Sequence, residues 1–176
     1  MKAKETIDFT KIDWDKVDIE KAEFFFKAAQ NYNNKVIEDL VNTNSKAYTL
    51  ICVMLPVLSA AIGFLLTRGE GQEKIIGILA LFSLLSAIGL ILLFVAIIPK
   101  KFYRGEGSPE QFFRGNYYKN DLFTIYTGGI AANQKYIDRN DKLLKWRNAL
   151  ITAGLSIFLG GLFVTMLVSA VLYLLN

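Results

Sequence analysis

The sequence predicts an all-α membrane protein with three transmembrane helices, an N-terminal amphipathic helix, and a helical cytoplasmic insertion between the second and third spans. Three apolar runs without a charged side chain carry this prediction, at residues 48–66, 75–98 and 150–175. Each run has about 19 residues or more, and a helix of that length crosses about 30 Å of hydrocarbon because it rises about 1.5 Å per residue. We find no strand-like alternation that competes with the helical patterns.

The spans divide the chain into transmembrane and polar segments. The predicted segments are the amphipathic region 1–47, the transmembrane hairpin 48–98 (spans 48–66 and 75–98), the cytoplasmic helical region 99–147 and the third transmembrane helix 148–176. Each polar segment is too small to form a large core alone. We therefore expect these segments to pack on each other, on the membrane surface or on neighbouring subunits.

The spacing of apolar residues predicts an amphipathic helix that begins near Ile19. Its apolar stripe recurs at intervals of three and four. The stripe consists of Ala22, Phe25, Phe26, Ala29, Tyr32, Val36, Ile37, Leu40 and Val41. Acidic side chains at Asp18 and Glu20 suit the positive end of the helix dipole. The stripe runs towards the first span. A break in the helix at Asn42 and Asn44, between the stripe and the span, remains open as an alternative.

The insertion is expected to contain two helical stretches. One is predicted over residues 110–126, since Ser108 and Pro109 suit a helix start. The other follows the glycine pair at 128–129 and covers residues 130–147, up to the third span.

Charges in the loops predict the orientation of the chain. Residues 1–47 carry 8 Lys and Arg, residues 99–147 carry 10, and the connector 68–74 carries 2 that are balanced by 2 Glu. The positive-inside rule therefore places both large polar segments in the cytoplasm and the C-terminus outside. No apolar signal-peptide region precedes residue 48, so we expect the first span to act as an uncleaved anchor.

The composition argues against an enzyme and against a metal protein. The chain has no histidine and a single cysteine, Cys52, which excludes histidine catalysis, histidine-ligated metals and an intrachain disulfide. Carboxylates are scattered, and local ion pairs explain Asp138 and Asp141. The glycine-rich stretch 104–107 does not end in the Gly-Lys-Ser/Thr of a Walker loop. We predict no catalytic residue, no metal, no cofactor and no binding of a nucleic-acid polymer.

Small residues four apart occur in every span and predict close helix packing. The pairs are Ser59 with Gly63, Ser83 with Ala87, and Ser156 with Gly160. Packing within one three-helix bundle is the simpler interpretation, and contact between subunits is the alternative. Three short helices do not enclose a wide pore, so any conduction requires an oligomer or a large rearrangement. We expect a homo-oligomer.

The segment after the second span mixes cationic and aromatic side chains. Cations hold phosphate and aromatic faces stack bases, so this mixture suits a nucleotide. The candidate ligand-binding residues are Arg104, Arg114, Tyr103 and Phe113. The alternative is that the cations anchor to anionic lipid while the aromatic rings lie at the interface. That interpretation is favoured for the predicted membrane anchors, which are Lys100, Lys101, Trp146 and Arg147.

The order of several short motifs resembles a known family. In chain order the motifs are Ala28-Ala29-Gln30, Asn44-Ser45-Lys46-Ala47, Ile98-Pro99, Phe112-Phe113-Arg114-Gly115, Ile130-Ala131, Lys135-Tyr136 and Lys142-Leu143-Leu144-Lys145-Trp146-Arg147. In this arrangement the chain resembles the small transmembrane effectors of Pycsar-type bacterial antiphage systems, which signal with cyclic nucleotides. Similar proteins tend to carry an aspartate where this chain has Asn44.

The resemblance implies an antiphage effector that senses a cyclic nucleotide made during infection and then impairs the bacterial inner membrane. Death or arrest of the cell would stop phage spread. The implied partners are the lipid bilayer, a cyclic nucleotide second messenger and further copies of the chain. Two alternatives remain open: a membrane anchor whose cytoplasmic helices recruit a soluble partner through the apolar stripe, and a small constitutive channel.

Overall fold

The computed structural model of the protein describes residues 12–67, 73–104 and 119–174, and in this part of the chain it is helical without a strand. After a short 3-10 helix at Trp14–Lys16, helix α1 spans Ile19–Thr67, α2 spans Glu73–Ile97 and α3 spans Leu122–Leu174. Each of these three helices is long and apolar enough to cross a membrane. The prediction of an all-α protein with three such helices is therefore confirmed.

Helices α1 and α3 are longer than the predicted elements. Helix α1 continues through Asn42 and Asn44 without a break, and α3 continues through the glycine pair at 128–129. A glycine costs a helix about 1 kcal/mol relative to alanine, but here packing requires the small residue. A Cβ on Gly129 would overlap the ring of Phe26. The predicted helix over residues 110–126 lies mostly outside the described residues, and α3 begins within it, at Leu122.

The helices form two compact units. The polar unit consists of Met1–Glu38 and Lys101–Lys142, and the apolar unit consists of Asp39–Lys100 and Leu143–Asn176. Helices α1 and α3 contribute residues to both units, whereas α2 belongs to the apolar unit alone.

An aspartate caps the start of α1 and another caps the start of α3. Asp18 Oδ1 accepts a hydrogen bond from the Lys21 backbone N–H at 2.8 Å, and Asp121 Oδ1 accepts one from the Thr124 N–H at 2.9 Å. In both cases the acceptor satisfies a backbone donor that has no partner inside the helix. Hydrogen bonds from Lys21, first of all from its side chain, hold the pKa of Asp18 below its ordinary value. Those from Thr124 lower the pKa of Asp121 in the same way.

In the polar unit, α1 and α3 run parallel. The Phe26 and Tyr126 rings lie 5.6 Å apart between centroids, and further along both helices Asn33 is hydrogen-bonded to Asn140. Buried residues recur on both helices at the three-and-four spacing of knobs-into-holes packing. They are Ala22, Asn33 and Val36 on α1 and Ile130, Asn133, Ile137 and Asn140 on α3. Three of these seven positions hold asparagine, so the core of this unit is partly polar.

The apolar unit has a hydrocarbon core built by all three helices. Its buried cluster comprises Ile51, Met54, Leu58, Ala61, Phe82, Leu90, Leu93 and Phe158. Helix α2 runs antiparallel to α3, because Phe82 near its start packs on Phe158 at 5.9 Å whereas Ile98, just beyond its end, contacts Arg147. The same three-and-four spacing of buried positions appears on α3 at Arg147, Gly154, Phe158 and Gly161.

Backbone contact between α2 and α3 depends on two glycines. A Cβ added to Gly89 would lie 2.8 Å from the Gly154 carbonyl oxygen, and a Cβ added to Gly154 would lie 2.8 Å from the Gly89 carbonyl oxygen. No side chain fits at such a separation. The two glycines therefore allow the closest approach of the two apolar helices, as small residues do in membrane proteins generally.

The small-residue pairs identified in the sequence differ in how far they are exposed. Ser83 and Ala87 are partly buried, and Ala87 packs on the core. The other two pairs, Ser59 with Gly63 and Ser156 with Gly160, are exposed on the outside of the apolar unit. A Cβ on Gly63 or Gly160 would meet nothing within 4 Å. The simpler interpretation, packing within one bundle, is therefore wrong for these two pairs.

Arg147 connects the three helices of the apolar unit. Its side chain is fully buried, at 0% exposure. The Nη1 atom donates to Asn44 Oδ1 of α1 at 2.7 Å, and Nη2 donates to the Ile98 carbonyl at 3.2 Å. Ile98 directly follows the C-terminal end of α2, where free carbonyls carry partial negative charge that favours a cation. The planar guanidinium reaches both acceptors because it presents several donors in a fixed fork.

Replacing Gly154 with alanine is expected to lower the free energy of unfolding by about 1–3 kcal/mol, because the new methyl group overlaps the Gly89 carbonyl oxygen. The matched control is Gly63→Ala. It places the same methyl group in open space and is expected to be neutral or to stabilise by less than about 1 kcal/mol. Denaturant unfolding in detergent micelles, followed by circular dichroism, measures both. Equal destabilisation by the two variants would contradict the backbone contact.

Arg147→Lys is expected to lower the free energy of unfolding by about 1.5–3 kcal/mol, since a lysine keeps the charge but does not reach Asn44 and the Ile98 carbonyl together. The control is the same change at the exposed Arg139, for which a change within about 0.5 kcal/mol is expected. The same unfolding measurement applies. A negligible effect at Arg147 would show that the buried bridge does not hold the helices.

Candidate ligand site beside Tyr103

Two asparagines hold the backbone of Tyr103 in the polar unit. Asn140 Nδ2 donates to the Tyr103 carbonyl at 2.8 Å, and Asn140 Oδ1 accepts the Tyr103 N–H at 3.1 Å. Asn140 Nδ2 also donates to Asn33 Oδ1 at 2.9 Å, and Asn33 Nδ2 donates to the Tyr103 carbonyl at 3.2 Å. A side-chain amide has one acceptor oxygen and two donors, so Asn140 pairs with Tyr103 as a neighbouring strand would. We call Asn33, Asn140 and Tyr103 the asparagine clamp.

The clamp fixes an extended segment that has no helix of its own. Residues 99–104 follow the end of α2 and are neither helical nor in a strand. Their backbone donors and acceptors therefore need partners from side chains or water. Asn33 and Asn140 are both fully buried and provide such partners at Tyr103. The segment that carries the candidate ligand residues is in this way attached to α1 and α3.

The ring of Tyr103 is already in contact with α3. It stacks on Tyr136 with centroids 6.1 Å apart and planes 12° apart, and the Arg139 guanidinium carbon lies 4.8 Å from its centroid. Tyr136 and Arg139 are three residues apart, so they share one face of the helix. Tyr103 was predicted to stack on a base. Its half-buried ring is engaged with Tyr136 and Arg139, so a base would have to displace one of them or stack on the rim of the group.

A cation of α3 lies over this aromatic stack, and a second cation follows Tyr103 in the chain. Arg104 is exposed and follows Tyr103 directly, and Arg139 is exposed on α3 over the same ring. A guanidinium over stacked aromatic rings, with a second exposed arginine next in the chain, suits a phosphate attached to a planar base. Arg114 and Phe113, the other two predicted ligand residues, lie outside the described residues.

The predicted membrane anchors occupy different environments. Lys100 and Lys101 are exposed, and Lys100 Nζ lies 3.4 Å from the ring centroid of Trp146. Arg147 was predicted as an anchor, and this is wrong, because its buried guanidinium contacts Asn44 and Ile98 instead of facing lipid. The contact to Arg147 exists in this chain with a neutral oxygen as the acceptor.

Sequence reasoning missed Asn33, Asn140 and Arg139. Asparagines in helices are usually exposed, and nothing local distinguishes the two that pair across α1 and α3. A signal was present in the spacing, since Asn133, Ile137 and Asn140 follow the buried three-and-four pattern of α3. Among the described residues no three His, Cys, Asp or Glu side chains come together as a metal site would require.

The chain matches no protein-family model, no curated protein and no solved structure.

Asn140→Leu is expected to lower the free energy of unfolding by about 1–3 kcal/mol, because it leaves the Tyr103 N–H and the Asn33 oxygen without their buried partner. Hydrogen exchange of the Tyr103 amide should become faster in this variant, which mass spectrometry of peptides covering residues 99–104 detects. The matched control is Asn34→Leu, at an exposed position next to Asn33. Unchanged exchange at Tyr103 in Asn140→Leu would contradict the clamp.

Proposed function

We propose that the protein is an antiphage defence effector that senses a cyclic nucleotide in the cytoplasm and then impairs the inner membrane. The observation that carries the proposal is the asparagine clamp, which holds Tyr103 against Tyr136 and Arg139, with the exposed Arg104 next in the chain. Cations next to stacked aromatic rings suit a nucleotide phosphate and its base. The resemblance to Pycsar-type transmembrane effectors supports the same ligand class and adds the defence role.

The helices offer a route from ligand to membrane. Tyr136 and Arg139 lie on α3, which continues as one helix to Leu174, and Asn33 lies on α1, which continues to Thr67. A ligand acts only by binding one packing arrangement better than another. Binding that moves Tyr103 would alter the partly polar core between α1 and α3, and both helices carry that change into their apolar parts.

The apolar unit suits a rearrangement in the membrane. Its apolar runs at 48–66, 75–98 and 150–175 carry no charged side chain, so the helices can repack along these runs without moving a charge into hydrocarbon, provided that Arg147 next to the third run keeps its acceptors. The outward-facing pairs Ser59–Gly63 and Ser156–Gly160 present small residues to a neighbour, which favours association with further copies of the chain. The orientation follows the loop charges, with the N-terminus and residues 99–147 in the cytoplasm and the C-terminus outside.

The second candidate function is a membrane anchor that recruits a soluble protein. An exposed aromatic face on α1 in the polar unit favours it. Phe24 is 67% exposed, and Phe25 and Tyr32 are about half exposed. Phe25 and Tyr32 belong to the predicted apolar stripe, of which Ala22, Val36 and Leu40 are the buried members. A helix with exposed aromatic side chains offers anchors for a hydrophobic groove.

Dye release from liposomes that contain the full chain tests the proposal, with a panel of cyclic mono- and oligonucleotides added outside. Release is expected with one nucleotide and not without it. Arg104→Ala, Arg139→Ala and Arg114→Ala are each expected to raise the nucleotide concentration for half-maximal release about tenfold or more, because each removes a charge-assisted contact to phosphate. The matched control is Lys35→Ala, which removes an exposed cation away from Tyr103.

Other outcomes contradict the proposal in different ways. Release without any nucleotide would identify a constitutive channel. No release under any condition would favour the membrane-anchor function. In that case, serine substitutions of Phe24 and Phe25 that abolish capture of a soluble partner would support the anchor function. If all three arginine variants need the same nucleotide concentration for half-maximal release as the wild type, the nucleotide site lies elsewhere in the chain.

A further inference from the structure

A polar groove lies in the apolar unit where the charged part of each long helix ends. It encloses about 480 Å³ and is open on one side. Asp39, Asn42 and Lys46 of α1 line it together with Leu144 and Asn148 of α3. Lys46 is the last charged side chain before the apolar run at 48–66, and Asn148 lies two residues before the run at 150–175. The groove is therefore located at the transition from polar to apolar chain on both helices.

The lining presents donors at one end and acceptors at the other. Lys46 carries an ammonium group, and Asn148 has two amide N–H donors, while its Oδ1 accepts a hydrogen bond from Thr43 Oγ1 at 3.3 Å. Asp39 provides a carboxylate, seven residues before Lys46. Neither Asp39 nor Lys46 has an ion-pair partner within residues 12–67, 73–104 and 119–174. Both charges are exposed and available to a ligand.

The order of Asp39 and Lys46 along α1 restricts how a charged ligand can be oriented in the groove. Seven residues correspond to about 10 Å of helix rise, so Asp39 and Lys46 are too far apart to pair directly. Helical side chains tend to lean towards the N-terminus of their helix, and Lys46 lines the groove. With increasing distance from the apolar run, the lining of the groove presents first the ammonium of Lys46 and the amide donors of Asn148, and then the carboxylate of Asp39. A matching ligand has its negative group nearer the hydrocarbon and its positive group further out.

We propose that this groove binds the headgroup of a phospholipid that carries a phosphate and a primary ammonium group. The phosphate accepts hydrogen bonds from Lys46 and Asn148, and the ammonium donates to Asp39 and to the amide oxygen of Asn42. A phospholipid has this same order, because its phosphate lies next to the glycerol and acyl chains and its amine lies at the far end. The acyl chains extend along the exposed apolar surface of α1 and α3, for example past Val53 and Leu159.

The carboxylate determines which headgroups the groove prefers. An anionic lipid such as phosphatidylglycerol would place its phosphate at Lys46, but its terminal hydroxyl groups bring hydrogen-bond donors without a positive charge to Asp39. A choline headgroup keeps the positive charge but has no N–H, so it makes no hydrogen bond to the carboxylate. Only a primary ammonium satisfies both the charge and the hydrogen-bonding capacity of Asp39.

Native mass spectrometry of the full chain in detergent, titrated with dihexanoyl phosphatidylethanolamine, phosphatidylcholine and phosphatidylglycerol, tests this proposal. The ethanolamine lipid is expected to bind about tenfold or more tightly than the other two, which corresponds to one charge-assisted hydrogen bond. Asp39→Asn is expected to abolish this preference, while the adjacent Glu38→Gln, which removes the same charge outside the groove, should retain it. Lys46→Met is expected to weaken the binding of all three lipids. Lys145→Met changes another exposed lysine near the same transition and is expected to weaken the binding of none of them.

Three outcomes would overturn the proposal. Equal affinity for the ethanolamine and choline lipids would show that no primary ammonium is recognised. A preference that persists in Asp39→Asn, with a melting temperature like that of the wild type, would place the recognition elsewhere. Soluble glycerophosphoethanolamine that binds as tightly as the dihexanoyl lipid would show that a free phosphoester, and not a lipid, is the occupant.

Discussion

The fold depends on one buried cation, the guanidinium of Arg147. It donates to Asn44 of α1 and to the carbonyl of Ile98 at the end of α2, while its own backbone belongs to α3. A charge that is removed from water is costly unless hydrogen bonds compensate it, and here the two terminal nitrogens of the guanidinium donate to acceptors on the other two helices, so the three helices are constrained to meet at this point. The hydrocarbon core around Met54 and Leu93 is less specific, because apolar side chains pack in several registers. Arg147 selects one of them.

Polar core residues act in a similar way in the polar unit. A parallel pair of helices with only apolar residues at the buried positions would slide or rotate at low cost, and a buried asparagine pair restricts such movement. Asn33 and Asn140 bind each other and also the Tyr103 backbone, so the register of α1 against α3 and the path of residues 99–104 are set together. Any ligand that moves Tyr103 must therefore work against this register. This links the candidate site to the packing of the helices through hydrogen bonds and not through proximity alone.

The sequence was sufficient for the helices and insufficient for their contacts. Long apolar runs predict helices that are buried in hydrocarbon, whichever helices they pack against. The three long apolar helices could therefore be predicted from composition. The continuity of α3 through Gly128 and Gly129 could not, because it depends on the Phe26 ring that packs against Gly129. Arg147 was misread because Lys-Trp-Arg before a span is typical of interfacial anchors. Its place in the three-and-four series with Gly154 and Phe158 indicates burial, but only once the partner helices are known.

The neutral acceptor at Asn44 has a consequence for any movement of these helices. Removing one partner of a buried ion pair costs about 3–5 kcal/mol, whereas a hydrogen bond from a charged donor contributes about 1.5–3 kcal/mol. An aspartate at this position would hold Arg147 more firmly and would resist repacking of α1 against α3. With Asn44 the contact remains specific in geometry, at 2.7 Å, but is weaker. If the proposed ligand acts by favouring a second arrangement of the three helices, this weaker contact lowers the free energy that its binding must supply.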